Sequence, residues 1–121
     1  MSEQRQSDVS AGEDIQSRCP AFQTAIELVG RRWNGAIILA ADQGARRYSE
    51  FLAKISGISE RVLALRLREL EEAKVLVRDV LPSRPVQITY TLSDRGRELA
   101  TAVEPLIKWA DRWLWEGQDI R

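Results

Sequence analysis

The chain has 121 residues, of which 44% are apolar and 30% are charged, and its formal net charge at pH 7 is zero. This length and composition predict one globular domain with a modest core. With no histidine, one cysteine and no Gly-rich phosphate loop, the chain lacks the usual general base, nucleophile pair and metal ligands, so we expect neither an enzyme nor a bound metal or cofactor.

The N-terminal segment 1–17 is rich in Ser, Gln, Asp and Glu and has no periodicity, which predicts a disordered tail before a domain over 18–116. The segment has no apolar signal region, and no apolar run in the chain approaches the roughly 18 residues of a membrane span. A single cysteine fits a reducing compartment. We therefore expect a cytoplasmic protein without membrane contact.

Three helices are predicted in the first half of the chain. The first begins near Pro20 and ends at Gly30, with apolar residues at spacings of three and four. The run AIILAAD is too apolar for a surface helix and is placed in the core, with Gly44 as its C-cap. A short third helix covers about 48–55.

The turn SGIS then has the length and central glycine of a helix-turn-helix connection, and Ser59 is a good N-cap for the next helix. At 100° per residue, one face of that helix is apolar. The opposite face carries Arg61, Leu65, Arg68 and Glu72. Arg66 lies nearer the apolar edge and is assigned to packing or an internal salt bridge. The acidic residues at 69, 71 and 72 are interpreted as a solvated face.

A β-hairpin and a last helix complete the pattern. The segments VLVRDVL and VQITYTL are rich in β-branched residues, and the connecting PSRP stiffens the tip. Ser93 can cap a final helix over about 94–115, which Pro105 should kink or divide. The predicted fold class is mainly α with a small β-hairpin, in the element order of a winged helix-turn-helix.

Positive charge is concentrated in the same region. Residues 30–68 contain eight basic and three acidic side chains, so a local basic surface is expected on a neutral protein. Arginine on an outward recognition helix can pair with guanine or hold phosphates, and leucine can meet a thymine methyl. The predicted DNA-binding residues are Arg46, Arg47, Ser59, Arg61, Ala64, Leu65, Arg68 and Arg84. The predicted partner is double-stranded DNA with an inverted-repeat operator.

Several motifs also carry a family resemblance. In order, CP before a helix, ELVGRRW, RRYSEF, ISGISERVLALRLRELEEAKVLVR and YTLSDRGREL resemble the HxlR family of bacterial transcriptional regulators, which is related to the MarR type. The resemblance implies a homodimeric winged-helix repressor joined through its first and last helices. The chain departs from the family at Gln87, where a wing arginine is common, and at Leu65, which suggests thymine in the operator.

Cys19 has two interpretations. The resemblance implies a sensor of oxidants or electrophiles, and a helix N-terminus beside Arg18 favours the reactive thiolate. The other interpretation is a small packed residue.

Three of the four tryptophans lie within Trp109–Trp115, and this spacing is more typical of a buried interface than of a ligand pocket. The predicted dimer interface comprises Phe22, Ile26, Leu106, Trp109 and Trp113. Two alternatives stay open for function: a winged helix controlled by a small ligand, and a protein-interaction winged helix that does not bind DNA.

Overall fold

The structure is a computed structural model that describes residues 20–114. It contains five helices and one two-stranded antiparallel sheet within that range. The elements in chain order are α1 (Pro20–Gly30), α2 (Asn34–Asp42), α3 (Tyr48–Lys54), α4 (Glu60–Glu72), β1 (Leu76–Leu81), β2 (Gln87–Leu92) and α5 (Asp94–Trp113). This order confirms the predicted winged helix-turn-helix. The predicted tail over 1–17 lies outside the described residues.

The chain divides into two units, one up to Arg32 and one from Trp33 onward. Helix α1 is the described element of the first unit, and none of its residues is buried. It begins at Pro20 and ends at Gly30, as predicted. Its own side chains supply local hydrogen bonds, such as Thr24 Oγ1 to the Pro20 carbonyl at 3.1 Å.

Helix α2 forms the centre of the second unit because its sequence is apolar on every side. Ile37 and Ile38 are completely or almost completely buried, which confirms the predicted core placement. The helix ends where Gly44 adopts a φ of 109°, a conformation that favours glycine. The N–H groups of Gly44 and Ala45 donate to the carbonyls of Ala41 and Ala40, so the predicted C-cap is a Schellman motif.

Helices α3 and α4 form the helix-turn-helix. Phe51 of α3 is fully buried, and the connecting turn contains Gly57 at a φ of 91°. The Ser59 Oγ accepts a hydrogen bond from the Val62 N–H at 3.1 Å, which confirms Ser59 as the N-cap of α4. The inner face of α4 is then anchored by three fully buried leucines, Leu63, Leu67 and Leu70.

The hairpin of β1 and β2 packs on the core only at its root. Leu76 pairs with Leu92, and both side chains are buried. Four positions further along each strand, Val80 pairs with Ile88, and these side chains are 50% and 38% exposed. The alternation that was predicted for the second strand therefore gives a buried face only where the hairpin meets the helices.

Helix α5 begins after Ser93, whose hydroxyl both accepts and donates a hydrogen bond. The Ser93 Oγ accepts from the Gly96 N–H at 2.9 Å and donates to the Lys74 carbonyl at 2.6 Å, so the helix start is tied to the entry of β1. Gly96 is buried in that joint. Pro105 was expected to kink or divide this helix. It lies inside one continuous 20-residue helix, so it does not divide it. No helix within residues 20–114 is long and apolar enough to cross a membrane.

Candidate nucleic-acid interface

The outer face of α4 is held open to solvent by the packing of its inner face. Because three leucines lock the inner face, residues half a turn away must point outward. Arg61, Ala64 and Arg68 are exposed there, and Leu65 is 49% exposed. Leu65 is a single apolar side chain between two arginines, and a lone exposed leucine of this kind is common on protein surfaces.

The start of α4 is also fixed by α3. The Tyr48 hydroxyl donates to the Glu60 carbonyl at 3.0 Å. Burial raises the pKa of Tyr48, and the neighbouring Tyr90 and Glu60 raise it further. The phenol therefore stays protonated and keeps donating at any physiological pH. This bond sets the first turn of α4, where Arg61 lies.

A concave groove separates α4 from the hairpin. Its volume is about 470 Å³, and it opens to solvent along its length. The groove is lined by Arg61, Ala64, Leu65, Arg68, Glu71, Arg78 and Tyr90. The structure thus brings together four residues that were predicted from the outer face of one helix and three that were not.

Arg78 and Tyr90 of the hairpin also line this groove, although the sequence patterns did not indicate them. They pair across the two strands, two positions from the buried Leu76–Leu92 pair. The Tyr90 N–H donates to the Arg46 carbonyl at 2.8 Å, so β2 is fastened to the loop before α3. Period-two alternation placed Tyr90 on one face of its strand. Only the strand register brings Arg78 to the same face.

Two arginines of α4 form ion pairs of different kinds. Arg66 is largely buried and its Nη1 lies 3.0 Å from Glu69 Oε1, which confirms the predicted internal salt bridge. Arg68 Nε lies 3.6 Å from Glu72 Oε2, with both side chains mostly exposed. An exposed pair of this type contributes little to stability, so Arg68 remains available to a stronger partner such as a phosphate.

The sequence matches the HxlR-like helix-turn-helix family over residues 28–118. The chain belongs to this family. Its relatives include two HTH-type transcriptional regulators of Bacillus subtilis strain 168. YvaP is 41% identical over 79% of this chain and 89% of its own length, and YodB is 38% identical over 84% and 91%.

Solved HxlR-like structures agree with the fold. The reduced form of YodB from B. subtilis covers 84% of this chain and 98% of its own, with a TM-score of 0.72 and 40% identity. The reduced form of the redox regulator HypR covers 80% and 98%, with a TM-score of 0.72 and 28% identity. YodB has also been solved after diamide treatment and with bound quinone. The family consists of DNA-binding transcriptional regulators rather than enzymes. This confirms the prediction, made from the missing catalytic motifs, that the chain belongs to a non-enzymatic class. Within residues 20–114 no cluster of potential metal ligands occurs.

Arg46 and Arg47 lie in the loop between α2 and α3 of this HxlR-like domain, outside the groove. The Arg46 Nη1 donates to the carbonyls of Ala41 at 3.0 Å and Ala45 at 2.8 Å, so this nitrogen braces the loop. The Glu50 carboxylate accepts from the backbone N–H groups of both arginines, and these bonds lower the pKa of Glu50. DNA contact by Arg46 stays a prediction, and it would use the guanidinium nitrogens other than Nη1.

The remaining predicted residues lie elsewhere in the HxlR-like chain. Arg84 is exposed in the connection between β1 and β2 and does not line the groove. Ser59 is exposed at the N-cap of α4, at one end of the outer face. Cys19 lies outside the described residues, immediately before the first described residue of α1.

The predicted interface residues are exposed apolar side chains in the single chain. On α5, Leu106, Trp109 and Trp113 are 55%, 51% and 63% exposed and recur at helical spacing. The Arg112 guanidinium carbon lies 5.6 Å from the centre of the Trp113 ring. Phe22 and Ile26 are exposed on α1 in the other unit. The two helices therefore each carry apolar surface that the single chain leaves uncovered.

Proposed function

We propose that this HxlR-like regulator is a homodimeric repressor that places α4 in the major groove of an inverted-repeat operator. The observation that carries the proposal is the outer face of α4, where Arg61, Leu65 and Arg68 are exposed while the leucines behind them are fully buried. A helix fixed on one side and rich in arginine on the other suits the major groove. Two-fold symmetry then requires two half-sites about one helical turn apart. We place its action in the cytoplasm, where its DNA partner lies.

Each groove residue has a role that follows from its chemistry. Arg61 and Arg68 can each donate two hydrogen bonds to guanine O6 and N7, while Leu65 and Ala64 suit thymine methyl groups. The Ser59 hydroxyl, Arg46, Arg47 and Arg84 lie outside the groove and are assigned to phosphates or to an adjacent minor groove. In this assignment α4 contacts the bases, and the flanking residues fix the position of α4 along the duplex.

Replacing Arg61 or Arg68 with alanine should weaken operator binding by roughly 1–3 kcal/mol each, because each would remove a bidentate base contact. The operator is obtained by selecting duplexes from a random pool with the wild-type protein, and affinity is measured by fluorescence anisotropy at fixed salt. The affinity for the unselected pool should fall much less, since base contacts discriminate between sequences and phosphate contacts do not.

Lys54→Ala is the matched control for these variants. Lys54 is an exposed cation in the same helix-turn-helix that does not line the groove, so it tests the effect of net charge alone. Affinity of this variant should stay within about twofold of wild type, as expected for loss of one distant charge. If Arg61→Ala and Arg68→Ala behave like the control, the assignment of α4 to the major groove fails.

We further propose that Cys19 makes the repressor responsive to oxidants or electrophiles. Helix α1 begins at Pro20, and the sequence places Arg18 and Cys19 directly before it. Both neighbours favour the thiolate, which is the form that attacks disulfides, diamide and quinones. Two relatives support the same class of signal. YodB has been solved after diamide treatment and with bound quinone, and HypR has been solved in its oxidised form. In a dimer, a change near α1 would alter the spacing of the two α4 helices.

Diamide or a benzoquinone should therefore lower the operator affinity of the wild-type protein. Diamide should oxidise the two Cys19 thiols of the dimer to an intersubunit disulfide, diamide itself being reduced, and dithiothreitol should reverse this effect. It should not reverse a stable quinone adduct. Cys19→Ser should bind the operator as wild type does and ignore both reagents. Mass spectrometry showing a fully modified Cys19 together with unchanged DNA affinity would rule out the switch.

A further inference from the structure

The hairpin presents two arginines in very different settings, at its root and at its tip. Arg78 lies at the root, in the wall of the groove opposite α4. Arg84 lies in the connection between the strands, beyond the end of β1 at Leu81. At about 3.3 Å per strand residue, the tip begins roughly 10 Å from Arg78, so the two side chains reach different parts of a bound duplex.

The root pair is held in place by the fold. Tyr90, the cross-strand partner of Arg78, donates its backbone N–H to the Arg46 carbonyl at 2.8 Å. Two positions towards the core, the pair of Leu76 and Leu92 is buried. The backbone beneath Arg78 and Tyr90 is thus fixed before any ligand arrives, and little ordering entropy remains to be lost there on binding.

The tip is held by local bonds: the Ser83 N–H donates to the Leu81 carbonyl at 2.8 Å, and the Ser83 Oγ donates to the Pro85 carbonyl at 2.7 Å. Three apolar side chains between the root and the tip are exposed, with Val80 at 50%, Ile88 at 38% and Val86 at 59%. The outer part of a two-stranded ribbon, beyond its contact with the core, is marginally stable and opens locally at little cost. Both arginines lose side-chain entropy on DNA, but ordering Arg84 also costs backbone entropy that the fixed root around Arg78 does not lose.

The groove also has the chemistry of a phosphate site on the side of Arg78. Arg78 and Tyr90 line the same groove as Arg61, and a guanidinium and a phenol are both hydrogen-bond donors. Tyr90 also raises the pKa of Tyr48, whose hydroxyl donates to the Glu60 carbonyl in the first turn of α4. A backbone phosphate flanking the bases read by Arg61 would meet donors from both the helix and the hairpin.

We propose that Arg78 and Tyr90 hold a DNA phosphate at the root of the hairpin, and that this cross-strand pair, rather than Arg84 at the tip, makes the main hairpin contact with DNA. The inference rests on the proposed placement of α4 in the major groove. It gives the hairpin a positioning role, because a phosphate held at its root fixes how deeply α4 enters the groove. It also accounts for a hairpin that carries Gln87 and apolar side chains towards its tip.

The test compares Arg78→Ala with Arg84→Ala, two substitutions that remove the same charge from the same hairpin. Affinities for the selected operator and for a scrambled duplex of equal length are measured by fluorescence anisotropy over roughly 50–300 mM KCl, a range in which phosphate contacts control affinity. Arg78→Ala should lose about tenfold on both duplexes and reduce the slope of log affinity against log salt by about 1. Arg84→Ala should lose about twofold or less, as expected for a weakly ordered contact.

Two further variants separate the phosphate contact from a folding effect. Arg78→Lys keeps the charge and should recover the salt slope and most of the affinity, while Tyr90→Phe should lose a few-fold at an unchanged slope because no charge is removed. Thermal melting of all four variants confirms that each is folded at the assay temperature.

Equal or larger losses in Arg84→Ala, or an unchanged slope in Arg78→Ala, would overturn the proposal. A loss confined to the operator would overturn the assignment to a phosphate, since it would indicate a base contact. If the Arg61 and Arg68 variants lose operator affinity and Arg78→Ala does not, only this inference fails. A wild-type protein that binds neither duplex would overturn the proposed function as well.

Discussion

Gly96→Ala should strongly destabilise the protein. A Cβ atom built on Gly96 would lie 2.1 Å from the Val75 carbonyl oxygen and 3.0 Å from Leu92 Cδ2. The first of these is a backbone atom that accepts the Ser93 N–H at 3.0 Å, so it cannot move without loss of the cap on α5. Overpacking of this kind costs about 1–3 kcal/mol or more, and the helix propensity of alanine returns only about 1 kcal/mol. The free energy of unfolding, measured by urea denaturation, should therefore fall by about 2 kcal/mol.

Gly35→Ala is the matched control for this substitution. Gly35 also lies inside a helix, α2, and a Cβ atom there would meet nothing within 4 Å. Alanine at this position should leave the stability unchanged or raise it by up to about 1 kcal/mol, because it restricts the unfolded chain. If Gly96→Ala is as stable as Gly35→Ala, the close approach of α5 to the entry of β1 is not present in solution.

Helical periodicity in the sequence was sufficient to predict most of the helices and the exposed outer face of α4. Leu63, Leu67 and Leu70 recur at the spacing of one helical face, and all three are fully buried. Their burial fixes the opposite face, so Arg61 and Arg68 could be predicted as exposed without knowledge of any other element. The helix caps could also be predicted from the sequence, because serine and glycine each satisfy a local backbone requirement at a helix end.

Features that depend on contacts between distant segments could not be predicted. Arg78 faces the groove because β1 pairs with β2 in one register, and a shift by one residue would turn it to the other face. The buried position of Gly96 depends on where the Val75 carbonyl lies, twenty-one residues earlier in the chain. The guanidinium of Arg46 turns towards backbone carbonyls that become available only when α2 ends in its C-cap. Local sequence patterns contain none of this information.

Replacing Trp109 and Trp113 together with lysine should convert the proposed dimer into a monomer. The two indole rings are 51% and 63% exposed in the single chain, and Leu106 extends the same stripe of α5. A fully exposed aromatic ring of this size contributes about 150–250 Å² when it is covered, so the exposed parts of four rings would supply roughly a quarter to a third of a standard interface of about 1,600 Å². Two lysines in each copy would place like charges on both sides of that axis and leave them without solvent.

Static light scattering should then report the monomer mass of 13.8 kDa at micromolar concentration, where the wild type should report twice that mass. Affinity for the two-half-site operator should fall by roughly 100-fold or more, because the second half-site is no longer engaged within one complex. Affinity for a single half-site duplex should change little, since α4 is intact. Glu104→Lys with Asp111→Lys is the control, with two lysines on the opposite, exposed side of α5, and it should remain a dimer. A dimeric Trp109→Lys, Trp113→Lys protein would move the interface away from α5.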